Sequence, residues 1–222
     1  MYKRQEPTFH FIYTTSNHGP YKMEDSLLDY DPEKVMPDVG EDLRSNKTRN
    51  KELATYRYSD KAIFTFVEAM KKAFPDSLFI VTGDHSNLFG SLNNTSLIRR
   101  DYTLRDTFCT VALLQHPDLN QDMIVSSKGT HMSLMPTIIE AIAPKGFEYY
   151  SIAPSLFEDQ PETLVTPYQW ITDSLIGDVR GDYGESNVAT TEPVEPVRPI
   201  DNHADNARDW TLLTMWLINH RG

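Results

Sequence analysis

The chain has 222 residues, of which 39% are hydrophobic and 11% aromatic, enough to bury a core and too apolar for a disordered polypeptide. Its formal net charge is −11, from 21 basic and 32 acidic residues; such a surface repels nucleic acid, and no basic stripe offsets it. A single cysteine, Cys109, excludes an internal disulfide and any cysteine-rich zinc motif.

No apolar run is long enough to cross a membrane, and the first residues, Met-Tyr-Lys-Arg-Gln-Glu-Pro, lack the apolar stretch of a signal peptide. Thr8 to Thr15 (TFHFIYTT) is β-branched and aromatic and predicts a buried strand, ending in the turn cluster Ser16-Asn17-His18-Gly19-Pro20. A strand so close to the first residue is expected of a fragment, with any membrane helix or leader upstream. Residues 22 to 57 are charged and carry Pro32, Pro37 and Gly40; they predict a long surface excursion with one short helix.

Ser59 is expected to cap a helix in which Ile63, Phe66, Val67 and Met70 share one face, closed by Pro75. Ser77 to Thr82 (SLFIVT) is apolar on both faces, as in a central parallel strand, and Gly83-Asp84-His85 follows at its C-terminal end. Thr107 to Leu114 (TFCTVALL) reads as a second buried strand, broken at His116-Pro117. Ser133 is expected to cap a helix through Ile142, with Pro136 in its first turn, Leu134, Ile138 and Ile142 inward, and Gly146 as its stop. Trp170 to Asp182 predicts a strand pair around Gly177 or Gly181. Residues 185 to 208 are acidic, contain Pro193, Pro196 and Pro199, and predict an extended wrap or linker. Asp209 is expected to cap a last amphipathic helix with Trp210, Leu213 and Leu217 inward. Strands and helices in alternation predict an α/β fold with a mostly parallel sheet, whose ligands collect beyond the carboxyl ends of the strands.

Asp84 and His85 stand at one such end. A carboxylate and an imidazole side by side can both reach one divalent ion, and oxygen and nitrogen donors suit zinc, manganese or a harder cation. Gly83 allows the tight backbone turn that lets the two neighbours converge. The plain alternative is a turn hydrogen bond. His18, after the first expected strand, can hydrogen-bond a phosphate or sulfate oxygen or protonate a leaving alkoxide, or else serve only as a polar turn residue. His131 precedes a helix start, where anions are favoured; a loop histidine at a helix entry is the alternative. Arg99, Arg100 and Arg105 have the donors for a phosphate or sulfate, although pairing with Asp101 and Asp106 is the simpler expectation. Cys109 sits in an apolar run and reads as a core residue. Neither a Gly-x-Ser-x-Gly elbow nor a phosphate-cradling P-loop occurs.

Taken in order, FIYTTSNHGPY, YRYSDKAIFTFVEAMKKAFPDSLFIVTGDHS, GTHMSLMPTIIEAIAP and SLF resemble the second half of the sulfatase domain, in the branch of the lipoteichoic-acid synthases within the alkaline phosphatase superfamily. The likeness spans about residues 8 to 157. It implies the C-terminal portion of an alkaline-phosphatase-like α/β/α sandwich (1–157), followed by an extension (158–222) with a strand pair, an acidic segment and a helix. It implies Asp84 and His85 as ligands of a divalent metal (manganese, zinc, magnesium or calcium), His18 as the substrate-binding and catalytic histidine, and His131 as a further substrate contact. The substrate class would be an anionic phosphate or sulfate ester. In such enzymes a Thr, Ser or modified Cys attacks phosphorus or sulfur; that nucleophile belongs to the first half of the domain, and no Cys-x-Pro-x-Arg signature is present here. The isolated chain is therefore expected to be inactive, and an exposed sheet edge would favour a homo-oligomer. The branch implies a bacterial protein at the extracytoplasmic membrane face or in the periplasm, attached to the membrane only through upstream segments. A non-catalytic module with a vestigial site, binding anionic ligands or a partner chain, is the competing expectation.

Overall fold

The longest helix arises where the sequence has neither glycine nor proline. In the computed structural model, α1 (Glu41–Arg44) is followed by α2 (Lys47–Ala73). The described residues are 7–27, 30–31, 34, 40–86, 95–96, 101–119, 128–166, 168–179, 184–186, 209, 212–213 and 216. They fall into two compact units. The first comprises residues 1–80, 95–98 and 114–118; the second comprises 81–94, 99–113 and 119–222.

In the first unit, Asn46 caps α2 by accepting the Arg49 N–H at 3.1 Å. The helix thus begins twelve residues before the expected start at Ser59, inside the stretch expected to be a surface excursion. Two physical reasons account for this. Lys, Arg, Glu and Ala are strong helix formers whatever their charge. The buried stripe of α2 is Glu52, Ala54, Thr55 and Ser59, small or polar residues that show no apolar period. Ser59 is consequently a buried mid-helix residue rather than a cap. Ile63, Val67 and Met70 are half-buried, whereas Phe66 is exposed. The helix stops at Ala73, just before Pro75, as expected. Leu43 on α1 is almost fully buried, and Ser96 binds this region from a distant part of the chain: its hydroxyl accepts the Gly40 N–H at 2.8 Å and its N–H donates to Asp42 at 2.9 Å. The Ser96 hydrogen bonds hold the Asp42 carboxyl below its usual range.

Residues 8–15, expected as a buried strand, belong to neither sheet, and Phe9, Phe11, Ile12 and Tyr13 are all more than half exposed. Strand propensity records how well a residue fits a pleated, half-covered surface, and the described residues supply no such neighbour here. The turn at 16–20 forms as expected.

β1 (Phe79–Thr82) and β2 (Ala112–Gln115) pair as a two-stranded sheet, and the division between the units falls within both strands. Both are less buried than a central strand: no residue of β1 is fully buried, and Leu113 of β2 is 61% exposed. The first two residues of the expected 107–114 strand belong instead to α3 (Leu104–Phe108), since Thr103 and Asp106 form a complete capping box that outweighs the β preference of Thr107 and Phe108.

In the second unit, α4 (Leu134–Ile142) runs as expected from Ser133, but it buries Pro136 and Thr137 and leaves Ile142 exposed. The Ser133 hydroxyl makes no cap hydrogen bond. After α4 come β3 (Leu164–Val165), β4 (Gln169–Ile171), β5 (Leu175–Asp178) and β6 (Gly184–Ser186), a four-stranded sheet in sequential order with every pair antiparallel. The described sheets are therefore small, and the larger is antiparallel, where a mostly parallel sheet was expected. The short connections 166–168, 172–174 and 179–183 permit hairpins, whereas a parallel crossover needs a dozen residues or more. The architecture is mixed α/β. Asp209, Leu212, Leu213 and Trp216 are helical, with all four exposed; Trp210, Leu217, Gly181 and the proline-containing segment lie outside the described residues.

Trp170 organises this sheet. It pairs with Gly177, which pairs in turn with Gly184, and its indole lies over both glycines where a Cβ would overlap it. Val165 and Val179 complete the cluster. Gly177→Ala is expected to force the indole aside and cost about 1–3 kcal/mol, read as a lower urea midpoint; an unchanged midpoint would show that the ring has room to move.

Candidate functional site

The second unit carries the strand-end turn. The Thr82 hydroxyl donates to the Val111 carbonyl at 2.8 Å, tying the end of β1 to the residue that precedes β2. Gly83 follows under tight constraint: a Cβ there would lie 2.5 Å from the Thr110 hydroxyl oxygen. Asp84 Oδ1 accepts the His85 N–H at 3.0 Å, while Asp84 Oδ2 lies 3.7 Å from His85 Nε2. Both side chains are about half exposed, at 55% and 52%. The His85 ring contacts the Ser86 carbonyl through Nδ1 at 2.7 Å. A carbonyl only accepts, so Nδ1 carries the proton and, in the neutral ring, the lone pair is on Nε2.

A lone pair facing a carboxylate oxygen can share one positive charge with it, a proton or a metal ion. Two donors each about 2.1 Å from one tetrahedral ion stand roughly 3.4 Å apart, close to the 3.7 Å observed. The pair therefore fits two positions of a metal's coordination shell. Among the described residues, no group of three or more His, Cys, Asp or Glu side chains is gathered to hold an ion.

The turn is braced on both sides. The Ser86 hydroxyl lies 2.6 Å from the Asp106 carbonyl and also contacts that of Thr107, both on α3. At the other end of α3, Glu185 of β6 accepts the Leu104 N–H. His131 lies on a short 3-10 turn, His131–Ser133, that leads into α4. Its Nε2 is 2.8 Å from the Gly83 carbonyl. Of the sequence-derived candidates, the structure thus gathers Asp84, His85 and His131 around one turn.

His18 belongs to the first unit. Its turn is fixed from α2: Ser16 Oγ is 2.5 Å from Ser59 Oγ, and the Ser59 hydroxyl donates to Asn17 Oδ1 at 2.7 Å. His18 Nδ1 donates to the Gly19 carbonyl at 2.6 Å, which leaves Nε2 as the chemically available atom. An open groove of about 830 Å³ lies alongside, lined by His18, Lys22, Tyr13, Tyr58 and Ile63 among others. Nearby on α2, the buried Glu52 accepts a hydrogen bond from Tyr56 at 3.0 Å. Burial first, and then the Glu52 carboxylate, push the Tyr21 phenol above its ordinary value.

Sequence reasoning missed Ser59 and Ser86 as the residues that fix these turns. Ser59 carried a signal, since Glu52, Thr55 and Ser59 form a polar stripe at helical spacing; Ser86 carried none beyond its position. Arg99 and Arg100 lie outside the described residues, and Arg105 is on α3. Cys109, expected in the core, is half-buried at the C-terminal cap of α3. Burial pushes its thiol up, which disfavours the nucleophilic thiolate at neutral pH.

The described residues thus define a mixed α/β chain with an Asp-His donor pair at a strand end. The sulfatase family model matches residues 2–143, and the chain belongs to the sulfatase family. That family comprises hydrolases and transferases of the alkaline phosphatase superfamily, and its enzymes generally use metal ions. No curated protein and no solved structure matches the chain. The matched residues include α1 to α4, whereas β3 to β6 lie beyond them.

Ser59→Ala removes the hydroxyl that joins Ser16 and Asn17 to α2. It is expected to cost about 1–3 kcal/mol, seen as a lower thermal midpoint with faster amide exchange at 16–21. Unchanged exchange in that turn would show that it stands without the anchor.

Proposed function

We propose that this chain carries the metal-ligand and substrate-binding portion of a phospho- or sulfo-ester hydrolase or transferase of the lipoteichoic-acid-synthase-like branch. The observation that carries the reading is the 3.7 Å separation of Asp84 Oδ2 and His85 Nε2 at the end of β1, in a chain of the sulfatase family. Asp84 would supply a carboxylate oxygen and His85 the Nε2 lone pair. A divalent ion, whether manganese, zinc, magnesium or calcium, would add Lewis-acid stabilisation of charge on the reacting oxygens.

His18 is assigned to the same ester by the order of the motifs. Its Nδ1–H is engaged by Gly19, so Nε2 is the atom that can carry a proton to a phosphate or sulfate oxygen, or to a departing alkoxide. With its Nε2–H engaged by Gly83, His131 would contact the anion by donating Nδ1–H from the doubly protonated ring. Motif order also supports placing residues 1–157 in the later part of a sulfatase-like domain, with 158–222 as an extension and the nucleophile supplied by the earlier part. A bacterial extracytoplasmic or periplasmic setting, membrane attachment through segments outside this chain and self-association through an exposed strand edge belong to the same proposal. Among the described residues no helix is long and apolar enough to cross a membrane.

Calorimetric titration with Mn²⁺ and Zn²⁺ separates the metal reading from a purely structural one. The chain is expected to bind one ion, and Asp84→Ala and His85→Ala to bind at least about tenfold more weakly. Equal affinity in all three proteins would remove Asp84 and His85 from the site.

A further inference from the structure

We propose that His131 is a positioning residue: its imidazole holds the Gly83–Ser86 turn in the shape that lets Asp84 and His85 face one cation. This rests on the metal-ligand reading above and adds a role distinct from substrate contact.

Asp84 and His85 are about half exposed, so packing alone does not fix their rotamers. The bonds at the turn include local ones: His85 N–H to Asp84 Oδ1, His85 Nδ1 to the Ser86 carbonyl, and the Thr82 hydroxyl within 3.1 Å of the Gly83 carbonyl. Two adjacent side chains on extended backbone point to opposite faces. Convergence of Oδ2 and Nε2 to 3.7 Å therefore depends on the backbone leaving the strand path just after Gly83, where it bends at Asp84 and His85. Something must hold the two peptides that flank the pair.

The downstream peptide is held by Ser86, through its hydroxyl on α3. The upstream peptide is held by His131, which donates Nε2–H to the Gly83 carbonyl at 2.8 Å across 48 positions of sequence. That carbonyl belongs to the peptide whose N–H is on Asp84, so fixing it fixes the start of the ligand pair. Thr110 closes the remaining side, because there is no room for a Cβ at Gly83. The histidine itself is set by the 3-10 turn that opens α4, where the Ser133 N–H donates to Thr130 and Thr137 Oγ1 donates to Ser133. Partners one step removed from a metal ligand commonly change affinity ten- to a hundredfold.

A glutamine can place its amide N–H near the position of a histidine Nε2 and restore the donor; an alanine cannot. The test compares wild type, His131→Ala and His131→Gln by millisecond-to-second deuterium exchange of the amides at 84–86 in metal-free protein, and by Mn²⁺ and Zn²⁺ affinity. Amides of β4 and β5 serve as the internal reference for global stability. The expected result is faster exchange at 84–86 in His131→Ala with β4 and β5 unchanged, metal affinity weaker by about ten- to a hundredfold, and recovery of both in His131→Gln. If His131→Ala is globally loosened, His131→Gln decides: slow exchange and near-wild-type affinity support the role, and loss of both opposes it. Wild-type exchange and affinity in His131→Ala would overturn the proposal. If wild type itself binds neither ion, the metal reading fails, and the exchange comparison alone decides whether His131 holds the turn.

Discussion

The Gly83–Ser86 turn is the constraint on which the proposed metal site depends. A strand delivers its side chains alternately to opposite faces, so an Asp-His pair at a strand end becomes a two-donor site only if the backbone bends at once. The chain bends at Asp84 and His85, Thr110 leaves no room for a side chain at Gly83, Ser86 and His131 hold the two sides of the turn, and a carboxylate oxygen stands 3.7 Å from an imidazole nitrogen. The tautomer follows from the same local geometry, because the Ser86 carbonyl can only accept and so leaves the His85 Nε2 lone pair toward Asp84.

The support of this turn extends beyond the residues that match the sulfatase family. Glu185 on β6 caps the N–H of Leu104, the first residue of α3, and α3 offers the carbonyls that hold Ser86. The antiparallel sheet that carries Glu185 is itself organised by Trp170 over Gly177 and Gly184. A stable sheet at the C-terminal side is thus connected, through a five-residue helix, to the pair proposed to hold the metal. In the first unit the same logic operates with a different anchor, since the buried Ser59 of α2 fixes the turn that bears His18.

Much of the local structure was legible in the sequence. The strand before Gly83 and the helix starting beyond Ser133 each carried a strong local signal; the strand pair expected around Gly177 or Gly181 forms instead about residues 172–174, with Gly177 inside β5. The errors have a common physical origin. The 8–15 segment and the start of the 107–114 segment were read from β propensity, which expresses neighbours more than backbone preference; one segment found no sheet, and the other lost its first residues to the Thr103–Asp106 capping box. The start of α2 was hidden because its buried stripe is polar and small. The parallel sheet was inferred from alternation of elements, while the strands that formed the larger sheet were those with connections too short for anything but hairpins. Residue type and position single out Asp84, His85 and His18 as candidates for the proposed site. The bracing by Ser86, Ser59 and His131 was not legible, because it depends on pairings across 20 to 48 positions of sequence.

The most direct test of the central claim is a crystal of this chain grown with Mn²⁺ or Zn²⁺ and measured at the metal's absorption edge. The account predicts an anomalous peak within bonding distance of both Asp84 Oδ2 and His85 Nε2, with the His131 ring still on the Gly83 carbonyl. A bound ion elsewhere on the molecule, with Asp84 and His85 unliganded, would contradict it.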